Sequence, residues 1–124
     1  MSNPVLYKTF VASGAINPYR IVRLTSADLV EQAAAVGNTL IGVNSELAIV
    51  SGERVEVMLM GIAWVEAGAA IAVGLPVTTD SVGRAVAAAP AAGVNNRIIG
   101  FALEWAVAAG DQIRVLLSPG QVQG

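Results

Sequence analysis

The chain has 124 residues, 55% of them hydrophobic and 13% charged, with a formal net charge of −2. That is enough material for one domain with a core of its own, under a surface much poorer in charge than the roughly 25% of an ordinary soluble domain. The absence of Cys and His removes disulfides, thiolate metal sites, the commonest metal ligand and the commonest general base, while seven basic residues scattered singly leave no stripe for nucleic acid.

The chain opens Met-Ser-Asn-Pro-Val-Leu-Tyr-Lys, without the basic start and apolar run of a signal peptide, which predicts synthesis and retention in the cytoplasm. Residues 1–8 read as an extended arm: Leu6, Lys8 and Phe10 alternate with Val5, Tyr7 and Thr9, and Pro4 breaks the start. Such an arm suits strand addition to a neighbouring sheet edge, which makes Pro4, Val5, Leu6, Tyr7, Lys8 and Phe10 candidate partner-binding residues. The same alternation also suits the first strand of the domain itself.

Beyond the arm, residues 19–24 and 40–43 read as short strands, and residues 26–33 as one or two helical turns capped by Ser26. Ser51-Gly52-Glu53 is a tight turn, with Gly supplying positive φ. From Glu53 the chain alternates, Val55, Val57 and Leu59 against Arg54, Glu56 and Met58, the mark of a half-buried strand. Past Met58 the polar face disappears, because its positions become Met60, Ile62 and Trp64. The apolar window from Val57 to Val65 ends at Glu66, far short of the roughly 20 residues of a membrane-spanning helix. Two apolar faces on one strand require cover on both sides. Met58, Met60, Ile62 and Trp64 are the expected subunit interface, Met and Trp being enriched in interface cores; the alternative is a central strand of one barrel whose outward residues a loop covers. Further strands are expected over residues 75–78, 98–103 and 112–117, a turn at residues 81–84, and Trp105 as a partial lid on the core, with a binding hot spot as the alternative.

The second half restates the first. Thr39-Leu40-Ile41-Gly42-Val43 parallels Arg97-Ile98-Ile99-Gly100-Phe101, and the turn and strand from Ser51 to Leu59 parallel those from Ala109 to Leu117, both 58 residues on (99 − 41, 110 − 52). Val11 to Ile16 likewise faces Glu66 to Ile71, 55 residues on (66 − 11). The expectation is an all-β fold, a small β-barrel or sandwich of two duplicated units, about 9–62 and 64–120, behind the N-terminal arm.

Little in the chain is equipped for catalysis. The carboxylates sit mostly at turns or outward strand positions, and neither a phosphate-binding glycine loop nor a nucleophile elbow is present. A lipoyl- or biotinyl-type carrier needs a lysine at a hairpin tip, and the single lysine is Lys8, in the arm. The reading is a non-enzyme with no cofactor or metal.

Ile41-Gly42-Val43 followed by Ser51 to Val57, the middle element Val65 to Ile71, and Ile99 to Glu104 followed by Ala109 to Val115 resemble the cement, or head decoration, proteins of tailed bacteriophage capsids. The likeness covers most of the chain beyond the arm, although family strands often carry more Asp and Lys. It implies a structural virion protein, a homotrimer or smaller assembly on the outer capsid where capsomers meet, with the major capsid protein and its own copies as partners and neither nucleic acid nor membrane. The alternative is a cytosolic oligomeric β-barrel module that binds a small molecule or peptide between its two units.

Overall fold

The structure, a computed structural model, describes residues 3–124, and these form nine strands joined in a single sheet. They are β1 (Asn3–Ala12), β2 (Ile21–Ser26), β3 (Leu29–Gln32), β4 (Leu40–Asn44), β5 (Arg54–Glu66), β6 (Pro76–Thr79), β7 (Ala85–Ala87), β8 (Asn95–Ala102) and β9 (Gln112–Gln123). The chain is all-β, as its period-two patterning dictates.

The helical turns expected over residues 26–33 are not there. Asp28 takes a left-handed conformation, φ 57°, and reverses the chain directly from β2 into β3. Leu24 then faces Val30, and the Val30 side chain is fully buried. An isolated turn or two of helix is marginal in water, whereas this hairpin gains a hydrogen-bonded ladder and a core valine.

The pairings run around closed circuits. β1 pairs in parallel with β3, then β3 with β2, β2 with β4, β4 with β5, and β5 back with β1, all antiparallel. The second half repeats the path: β5 pairs with β9, β9 with β8, β8 with β6 and β6 with β7, and a parallel bridge Ala67↔Ala85 returns to the residue just after β5. The long β5 serves both, lying against β1 up to Ile62 and against β9 from Ile62 to Glu66. Gly61, φ 113°, sits where the service changes.

Matching contacts recur at the displacements read from the sequence. Ala12↔Val30 has its counterpart in Ala67↔Ala85, 55 residues on (67 − 12, 85 − 30). A Cβ on Gly42 would stand 2.2 Å from the Met58 carbonyl oxygen, and one on Gly100 would stand 1.9 Å from that of Leu116, 58 residues on (100 − 42, 116 − 58). At both places one strand crosses the next so closely that only glycine fits.

The first circuit encloses Phe10, Ala12, Ile16, Val22, Val30, Val55 and Val57. The second encloses Val65, Ile71, Val77, Ile99, Ile113 and Val115, and its cluster extends to Ile21, Leu40, Val43 and Met58 of the first unit. Side chains turned away from one interior are thus buried against the other half of the same chain. Polar contacts reinforce this junction: Ile21 N–H donates to the Gly83 carbonyl (2.8 Å), Arg20 Nη1 donates to the Val82 carbonyl (2.8 Å), and Arg20 Nη2 lies 3.4 Å from the Glu66 carboxylate.

Candidate interaction surface

The four β5 residues expected at a subunit interface divide. Met58 is only 5% exposed and belongs to the core between the two halves, so it is not on offer to a partner. Its apolar cover comes from the chain's own second half. Met60 is 51% exposed, and Ile62 and Trp64 are half-buried.

Neighbouring strands enlarge the patch around Met60. Leu6 stands opposite Met60 across the β1–β5 ladder, Leu116 opposite Ile62 across β5–β9, and Phe101 opposite Leu116 across β8–β9. Directly opposed residues share a sheet face, and Leu6, Leu116 and Phe101 are all exposed. With Met60 and Ile62 they form an apolar band across four strands. Leu116 and Phe101 enter through cross-strand register, which local periodicity does not carry.

The arm is a wall strand of this chain. β1 pairs with β5 from Asn3↔Ile62 to Val11↔Arg54, and the Pro4 backbone lies opposite Gly61. Phe10 fills the first core and cannot meet a partner. Lys8 is tied to Asp28 (2.9 Å), with its ammonium 4.4 Å from the centre of the Phe10 ring. Val5, Leu6 and Tyr7 remain exposed.

Trp105 is no lid. It is 66% exposed between Leu103 and Val107, also exposed, while Ala102 and Ala106 point inward. The signal lies in residues 102–107, where Leu103, Trp105 and Val107 alternate with Ala102, Glu104 and Ala106, and the brevity of the run hides it.

Trp64 is held from one side by Arg114, whose guanidinium lies 5.7 Å from the ring centre. Arg114 Nε donates to Glu104 Oε2 (3.0 Å) and its backbone N–H donates to the same oxygen (2.8 Å). The side-chain bond, then the backbone bond, hold the Glu104 carboxyl below its ordinary pKa.

Between β1, β4 and β5 lies a cleft of about 390 Å³ lined by Tyr7, Tyr19 and Trp64, with the buried Val43, Asn44, Met58 and Ala63 at its base and Ser45 and Glu46 along its rim. It joins Tyr7 of the expected arm to Trp64 of the expected interface. Tyr19 reaches it from a left-handed backbone, φ 59°. Asn44 is buried and donates to the Asn17 (3.0 Å) and Leu47 (2.8 Å) carbonyls, which fixes the rim. Glu53 and Asp111 accept from turn N–H groups, Val50 (2.7 Å) and Val107 (2.8 Å), as turn carboxylates do.

No curated protein matches the chain. Among solved structures it is similar to the crystal structure of the head fiber gp8.5 N base of bacteriophage phi29, with a TM-score of 0.64 and 21% identity over 96% of this chain and 98% of that one, a likeness of fold. A family model described as phage cement protein matches residues 3–117, nearly the whole of the described fold. The chain belongs to the phage cement protein family.

Proposed function

We propose that the protein attaches to the outer surface of the capsid as a homotrimer, binds the major capsid protein and stabilises contacts between capsomers. A structural role in the phage capsid follows from the family. The observation that supports the finer reading is the apolar band of Leu6, Met60, Leu116 and Phe101, which the fold leaves uncovered. Exposed contiguous apolar surface marks a site of association. Closed cyclic symmetry buries such a band without leaving an open edge. A protein that binds only the assembled shell stabilises it by mass action, and an oligomer bridging several capsomers gains further through effective concentration. The recurring pairings and the paired Gly42 and Gly100 support an origin of the two halves, about 9–62 and 64–120, by duplication.

Co-sedimentation with purified shells, alongside light scattering of the free protein, tests this reading. The wild type is expected to scatter as a trimer and to pellet saturably with shells. Met60→Glu, which places a charge in the band on an exposed side chain, is expected to keep the fold, fall to monomer mass and lose most shell binding. Unchanged mass and unchanged pelleting in that variant would remove the band from the account.

A further inference from the structure

We propose that the cleft between β1, β4 and β5 is a receptor for an arginine side chain presented by a protein partner. Three aromatic residues, Tyr7, Tyr19 and Trp64, line it around an apolar base. A cation is attracted to aromatic faces, more strongly when water is excluded, and cages of this composition take organic cations.

The charge balance has the same sign. Arg20 is paired with Glu66, and Arg114 with Glu104. Among the described residues the Glu46 carboxylate on the rim, exposed, has neither ion pair nor hydrogen-bond partner. It is the uncompensated charge of the cleft. The molecule already shows the matching arrangement on Trp64: a guanidinium over the indole, itself held by a carboxylate. A planar, weakly hydrated guanidinium both stacks on rings and offers a carboxylate two donors, which an ammonium does not. The volume, about 390 Å³, lies at the small end of ligand pockets and suits one long side chain rather than a large ligand.

The test is independent of shells. The full chain, isotopically labelled, is titrated by NMR with N-acetyl-arginine methylamide and, separately, with the neutral isostere N-acetyl-citrulline methylamide. The arginine derivative is expected to give saturable shifts at the Trp64 indole N–H and the Tyr7 and Tyr19 rings, with little response at Trp105. The citrulline derivative should bind at least fivefold more weakly, and Glu46→Gln, at an exposed position, should weaken arginine binding at least threefold. Equal response to both probes, shifts mapping away from the cleft, or no saturable shift would overturn the proposal. A cleft that binds arginine in a protein that ignores shells would remove the shell reading and leave this one standing.

Discussion

At the scale of single residues, the two close-approach glycines make the sharpest prediction. Gly100→Ala places a methyl 1.9 Å from a backbone oxygen that cannot step aside. It should cost about 3 kcal/mol, the upper end of ordinary overpacking. Gly110→Ala, at φ 97° with open space around the added carbon, carries only backbone strain and should cost about 1 kcal/mol. Urea unfolding of both variants checks the order, and equal losses would deny that the β8–β9 crossing requires glycine. Glu104 makes a second prediction. Its folded-state pKa is depressed by Arg114, so its contribution is present above the unfolded value, near 4.5, and is lost as pH falls through the folded one. The stability gap between wild type and Glu104→Gln should therefore be open at neutral pH and close on acidification below about 4.5. Urea midpoints over a pH series measure it. A gap that widened toward acid would reverse the assigned sign.

At the scale of elements, β1 is the instructive strand. Leu6, Lys8 and Phe10 alternate with Val5, Tyr7 and Thr9, so its extended form was legible, but an alternating segment pairs equally well with its own sheet or with a neighbour's. The ladder to β5 decides for its own sheet. Deleting residues 2–9 should consequently lower stability as well as any shell binding, since it strips the pairing to β5 from Glu56 to Ile62 and leaves only Phe10↔Val55 and Val11↔Arg54 to join β1 to β5. Thermal unfolding of the truncated chain checks this, and an unchanged midpoint would show that the part of β1 before Phe10 contributes nothing. The strand centred on Val55 and Val57 was legible because alternation is local. The β2–β3 hairpin was not, because Ser26, Leu29 and Glu31 carry helix-compatible spacing and the deciding fact is the tertiary burial of Val30. β7, three residues of Ala and Val, is too short to announce itself.

At the scale of the whole molecule, the sequence shows more apolar surface than one small barrel hides, and the fold answers in two ways. Part is covered internally, where Met58, Val43 and Ile21 of the first unit join the core of the second. Met58→Ala should therefore cost about 3 kcal/mol, as deep Met truncations do, without altering oligomer mass. Met60→Glu should do the opposite. That contrast was not legible from the strand, since Met58 and Met60 share one parity in the sequence, and only the register shift at Leu59, between Leu6↔Met60 and Tyr7↔Met58, turns them to opposite faces. The remainder, around Leu6, Met60 and Leu116, stays open on this chain. Imaging of the protein on its capsid at side-chain resolution tests this most directly. The account predicts that Met60, Leu6 and Leu116 are buried against another polypeptide there, and finding all three facing solvent on a decorated shell would contradict it.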